Sequence, residues 1–116
     1  MAKPRLGPLV DDEAPLVEAT DAARRLKTGE AILLDVREPY ELQRARVEGA
    51  LHIPMRQLPG RLAELPKDKP ILVLCHHGGR SQSVADWLRP QGFDVANVAG
   101  GIAAWADEVD ASVGRY

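Results

Sequence analysis

The sequence predicts an α/β fold, a parallel sheet covered on both faces by helices. Short apolar runs alternate with stretches of helical periodicity along the chain. The runs are apolar throughout, which is the pattern of strands buried on both faces. Right-handed crossovers are then the default, and a ligand is expected beyond the carboxyl ends of the strands.

Taken in order, Leu16 and Val17 predict a short strand. Thr20 is a candidate cap for a helix over residues 21–27, with Ala22, Ala23 and Leu26 on one face and Gly29 as its stop. Residues 31–36 form an apolar strand bounded by charge. Pro39 suits the first turn of a short helix over residues 40–44. Residues 50–53 read as a strand stopped by Pro54. Met55, Leu58, Leu62 and Leu65 recur at helical spacing, broken by Pro59 and Gly60. Residues 71–75 are the most strand-like of the chain. Residues 81–88 then read as a helix with Val84, Ala85 and Leu88 inward. A last strand over 95–98 and a last helix over 102–109 complete the pattern. Residues 1–13 lack periodicity and are expected to be a flexible arm, with 14–116 forming one domain.

Composition excludes several function classes. The chain has 116 residues, 15 basic and 17 acidic, for a net charge of −2. That balance does not fit a nucleic-acid binder. The longest apolar run, 71–75, is far too short for a membrane span. The first ten residues lack the apolar core of a signal peptide, so a cytoplasmic protein with a reduced thiol is expected. One cysteine excludes an internal disulfide framework and a thiolate metal cluster.

That cysteine stands where chemistry is expected. Cys75 ends an apolar strand and is followed by His76, His77, Gly78, Gly79, Arg80 and Ser81, with a helix beginning near Ser81. The glycines permit a turn whose backbone N–H groups converge on one point, and the helix N-terminus adds partial positive charge. With Arg80 as a cation, the turn favours thiolate over thiol, so the thiol is expected below the free value of about 8.5. A lone cysteine at a strand end is usually inert packing. An inert strand end, however, needs no cationic, glycine-rich turn after it.

Three segments together resemble the rhodanese-like sulfurtransferases in their single-domain form. They are residues 33–41 (LLDVREPYE), residues 46–54 (RVEGALHIP), and Cys75 to Ser81 together with residues 100–105 (GGIAAW). The resemblance covers about residues 16–105. It implies a three-layer α/β/α fold with a five-stranded parallel sheet. It also implies transfer of sulfane sulfur from a donor such as thiosulfate, through a persulfide on Cys75, to cyanide, a thiol or a carrier protein. The amides of His76, His77, Gly78, Gly79, Arg80 and Ser81 would cradle the sulfur, and Arg80 would hold the anionic donor. The family often has Gly-His-Ile where this chain has Ala45, Arg46 and Val47, so a local structural consequence is expected there. The tail over 108–116 resembles endings of rhodanese-like domains attached to enzymes that activate sulfur-carrier proteins, which hints at a carrier or persulfide-donor protein as partner. The plain alternative is a tail that docks on the domain surface.

Related folds carry phosphatases with the pattern Cys-x5-Arg. Here Arg80 follows Cys75 by five positions, giving Cys-x4-Arg and a loop suited to one sulfur atom. A Cys-dependent phosphatase or arsenate reductase, and a non-catalytic binding or redox-sensing module, are the alternatives. Asp35 and Arg37, at the end of the second strand, either flank the mouth or, as is preferred, pair with each other or cap a backbone turn, which leaves them supporting residues at best. His52 could join His76, His77 and Cys75 as a metal ligand, but adjacent histidines in a tight turn diverge, so neither metal nor cofactor is expected. Trp87 and Trp105 are expected to pack in the core, and Tyr40 to cap it.

Overall fold

The computed structural model describes residues 13–116, so the expected arm over 1–13 lies outside the described residues except for Glu13. Five strands form one parallel sheet: β1 (Leu16–Val17), β2 (Ile32–Asp35), β3 (Leu51–His52), β4 (Ile71–Leu74) and β5 (Val95–Val98), in the spatial order β1-β5-β4-β2-β3. The α/β class and the five-stranded parallel sheet are as expected. The helices are α1 (Ala19–Thr28), α2 (Pro39–Leu42), α3 (Gly79–Leu88) and α4 (Gly101–Glu108). Central β4 pairs with β2 from Ile71 opposite Ile32 to Leu74 opposite Asp35, and with β5 from Ile71 opposite Val95.

The sheet divides its side chains by parity, because successive residues of a strand face opposite ways. Leu34, Ile71, Val73 and Val95 pack with Val84, Ala85 and Leu88 of α3. Leu33, Leu72 and Leu74 pack with Ala19 and Ala22 of α1 and with Ile102 and Trp105 of α4. Cys75 continues the odd parity of β4 and so falls on the α3 side. Asn97 of β5 shares that face with Val95, and Asp35 and Arg37 follow the opposite one. The site is positioned by this parity before any loop is considered.

Several boundaries differ from the expectation for local reasons. Helix α1 starts at Ala19, with extended Glu18 before it and the Glu18 carbonyl accepting from Ala22 N, so Thr20 lies inside the helix and is not its cap. Gly29 is the left-handed stop, at φ 81°. Helix α2 begins at Pro39 itself. The segment from Met55 is broken as expected, but into two 3-10 turns, Met55–Gly60 and Leu62–Glu64, with Pro59 and Gly60 inside the first. Trp105 is buried, but Trp87 is 42% exposed and Tyr40 65% exposed. Trp87 lies about a third of a turn from the inward stripe of α3. Helix α2 is one turn long, and its buried position is taken by Glu41.

Two contacts hold the carboxyl ends of the strands together. Asp35 and Arg37 form a fully buried pair, Arg37 Nε to Oδ1 at 2.9 Å and Nη2 to Oδ2 at 2.6 Å. Arg37 also donates to the carbonyls of Ala45 and Glu41 at 2.9 and 3.4 Å. The segment at Ala45 and Arg46 is joined to the tail, where Arg46 N donates to Val113 O at 2.9 Å. The second contact is between α4 and the start of the cysteine loop: Ile102 N donates to Cys75 O at 2.8 Å and Ala103 N to His76 O at 3.1 Å. The approach is so close that a Cβ on Gly101, at φ 61°, would lie 2.5 Å from both carbonyl oxygens.

Arg37→Met is expected to strand the Asp35 carboxylate without its partner and to cost about 3–5 kcal/mol of stability in urea unfolding. Gly101→Ala combines backbone strain with a clash against backbone that cannot move cheaply. It is expected to cost about 3 kcal/mol by the same measurement, and a loss below about 1 kcal/mol would contradict the close approach.

Candidate active site

Cys75 leaves β4 on the α3 side, and the chain must turn at once to enter α3. Gly78 makes that turn at φ 112°, a backbone conformation that side chains disfavour. Helix α3 consequently starts at Gly79, two residues earlier than the periodicity suggests. The turn brings three donors onto the Cys75 sulfur: Gly78 N at 3.1 Å, Ser81 N at 3.3 Å and Ser81 Oγ at 3.2 Å. The cysteine is 1% exposed. Among the described residues, the amides of His77, Gly79 and Arg80 have no hydrogen-bond partner in the chain. The first turn of α3 therefore presents free N–H groups beside the sulfur, an arrangement that stabilises negative charge.

Buried Asn97 braces this loop from β5. Its Nδ2 donates to Gly78 O at 3.0 Å and to Gln82 Oε1 at 2.8 Å, and its Oδ1 accepts from Ser81 Oγ at 2.5 Å. The Ser81 hydroxyl has one proton and two acceptors within reach, Asn97 Oδ1 and Cys75 Sγ. A thiol can donate to Ser81 Oγ while that hydroxyl points to Asn97, and a thiolate can receive the hydroxyl proton instead.

Arg80 was expected to offer its charge to a donor, but its guanidinium is engaged. Nη1 and Nη2 reach the two carboxylate oxygens of Glu41 at 2.8 Å each. Glu41 also accepts from Glu38 N at 2.8 Å and from the Tyr116 hydroxyl at 2.7 Å. Arg80 holds the Glu41 carboxyl down at about 2, against an ordinary 4.5, with help from the Glu38 amide and the Tyr116 hydroxyl against burial. Glu41 in turn raises Arg80. The Tyr116 ring stacks on His76 with centroids 3.8 Å apart, and His76 stacks on His77 at 3.9 Å. Burial, then the neighbouring His77, pushes His76 below its ordinary value, so it adds no fixed charge near neutrality.

The structure thus gathers Cys75, His76, His77, Gly78, Gly79, Arg80 and Ser81 at one point. It places Asp35 and Arg37 behind them as a buried pair, with Arg37 Nη1 donating to the Tyr116 hydroxyl at 3.1 Å. His52 Nε2 lies 2.6 Å from Arg37 O, directed to the backbone there. The sequence reading missed Glu41, Asn97 and Tyr116. Asn97 carried a signal, as the only asparagine of the chain on the inward parity of a strand. Glu41 and Tyr116 carried none that is local.

The depressed Glu41 value has a pH signature. A carboxyl lowered by folding contributes stability above its unfolded value of about 4.5 and loses it as pH falls toward about 2. The urea midpoint is expected to decline across that window in the wild-type protein and to decline less in Glu41→Gln.

Comparison with known proteins places the chain in a family. The model of the rhodanese-like domain matches residues 18–108. A sulfurtransferase of Allochromatium vinosum is 36% identical over 92 residues, which cover 78% of this chain and 86% of the relative. The rhodanese-like/PpiC domain-containing protein 12, chloroplastic, of Arabidopsis thaliana is 45% identical over 92 residues, covering 75% of this chain and 31% of that longer protein. The crystal structure of a rhodanese-related protein from Thermoplasma volcanium superposes with a TM-score of 0.76 at 33% identity, covering 82% of this chain and 93% of that one. With its cysteine loop, parallel sheet and these relatives in agreement, the chain belongs to the rhodanese-like domain family of sulfurtransferases.

Proposed function

We propose that the protein is a sulfurtransferase that carries sulfane sulfur as a persulfide on Cys75. The observation that carries the reading is the convergence of three donors and the first turn of α3 on the sulfur of the only cysteine. Such a cradle holds one negative charge on one sulfur atom, either the thiolate or the outer atom of a persulfide. In the loading step the Cys75 thiolate attacks the outer sulfur of a donor such as thiosulfate. A new S–S bond forms, the donor's S–S bond breaks, and sulfite leaves with the electron pair. In the unloading step cyanide or a thiolate attacks the outer sulfur, forming thiocyanate or a new persulfide, and the Cys75 thiolate leaves. The step needs no metal or cofactor.

These 116 residues hold no second thiol to resolve the persulfide, so the acceptor lies outside them. A small thiol, cyanide or a sulfur-carrier protein fits that role, and a persulfide-bearing protein fits as donor. The reduced thiol that the chemistry requires suits the cytoplasm. No helix among the described residues is long and apolar enough to cross a membrane.

Intact-mass spectrometry after incubation with thiosulfate tests the reading. The wild-type protein is expected to gain one sulfur atom, and to lose it to cyanide with formation of one equivalent of thiocyanate. Cys75→Ser should show neither. Sulfur addition that persists in Cys75→Ser, or thiolate-dependent hydrolysis of an aryl phosphate without sulfur addition, would overturn it.

A further inference from the structure

Arg80 is the only lysine or arginine between Cys75 and Ser81, and its charge is already balanced. Its partner, the Glu41 side chain, is 4% exposed. The Glu41 carboxylate receives four donors: two from Arg80, one from Glu38 N and one from the Tyr116 hydroxyl. Four donors fill the lone-pair capacity of a carboxylate, so Glu41 is anchored and keeps the guanidinium with it. The buried guanidinium of Arg37 is spent on Asp35. His76 is kept toward its neutral form by burial, between the His77 and Tyr116 rings. What faces the sulfur is dipolar: N–H groups, one hydroxyl and a helix N-terminus. Those dipoles suit one negative charge at the sulfur and do little for further charge on the body of a ligand.

We propose that Glu41 sets the donor class at Cys75. By holding Arg80 it leaves the loop without a free guanidinium, so the site favours a donor with a single negative charge on its sulfane sulfur, an organic thiosulfonate or thiol persulfide, over dianionic thiosulfate. The proposal rests on the sulfur-transfer reading above. In the step, Cys75 thiolate attacks the outer sulfur of R–SO2–S⁻. The new S–S bond forms, the donor's S–S bond breaks, and the sulfinate R–SO2⁻ leaves with the electron pair. The encounter gathers two negative charges with a thiosulfonate and three with thiosulfate.

Methanethiosulfonate and thiosulfate are close in shape and differ by one charge, so they form the test pair. In the wild-type protein, kcat/KM for thiosulfate is expected to hold or rise as salt is raised about tenfold, because screening relieves repulsion between like charges. Glu41→Gln should raise the thiosulfate-to-methanethiosulfonate ratio of kcat/KM roughly fivefold, as the freed guanidinium meets the extra charge. A merely structural defect lowers both donors together and leaves the ratio where it was. A steep fall of the thiosulfate rate with salt in the wild-type protein overturns the proposal, as does an unchanged ratio in Glu41→Gln that keeps the wild-type circular dichroism. If that variant does not fold, the wild-type salt dependence decides. If neither donor adds sulfur to Cys75, the sulfur-transfer reading itself has failed, which the mass spectrum distinguishes.

Discussion

The carbonyl groups of Cys75 and His76 are each held by an amide of the first turn of α4, and the site is built outward from that contact. A strand end must be fixed before the turn after it can aim its amides. Gly101 makes the contact possible, since any side chain there would meet both carbonyl oxygens. With those carbonyls tied back, the chain leaves the sheet in one direction. Gly78 then reverses it, and α3 begins with its N-terminus at the sulfur. The Ile102 and Ala103 amides of α4 are consumed in holding the loop, whereas those of α3 at Gly79 and Arg80 stay free of partners among the described residues. The two helix starts have divided the labour between anchoring and anion stabilisation.

Around that anchor the core gives up apolar positions to polar side chains, and each is satisfied. Ser81 and Asn97 stand on the α3 face, where Val84 and Val95 show that apolar residues would fit the pattern. Asp35, Arg37 and Glu41 are buried on or beside the sheet ends. No buried side-chain nitrogen or oxygen among the described residues lacks a partner. Buried charges of this kind seldom stabilise a fold more than apolar residues would, but they fix one arrangement, because removing either partner is costly. Here the fixed arrangement runs from Asp35 through Arg37 and Tyr116 to Glu41 and Arg80, from the floor of the site to its rim.

Elements whose signal is local were legible in the sequence. The strand over 95–98 has the bounds that its apolar run suggests, and the loop from Cys75 to Ser81 announces itself by glycine spacing after an apolar strand. The supporting role of Asp35 and Arg37 was legible too, as a pair or a cap on a backbone turn, and both occur: Asp35 accepts from the Arg37 guanidinium and from Arg37 N. Local signals misled where a competing contact won. The Thr20 cap yields to Glu18 because the chain turns directly from β1 into α1. Trp87 falls off the inward stripe of α3, and Tyr40 lies on a helix too short to have a second inward position. Glu41 and Tyr116 reach the site from 39 residues before Arg80 and 79 residues after Arg37, and no spacing rule spans such distances.

That separation bears on how donor preference could change without change in the loop. The cradle itself is local: residues 75–81 supply the sulfur, its three donors and the helix start. Its charge is not local, since whether Arg80 counts as a free cation is decided at position 41, on another element. Two chains with identical loops would then differ in the charge they accept if one lacked a carboxylate at that place. The atoms that make the persulfide and the atom that sets which donor delivers it are separable. A single substitution on α2, away from every group that touches the sulfur, would be enough to move the second while leaving the first in place.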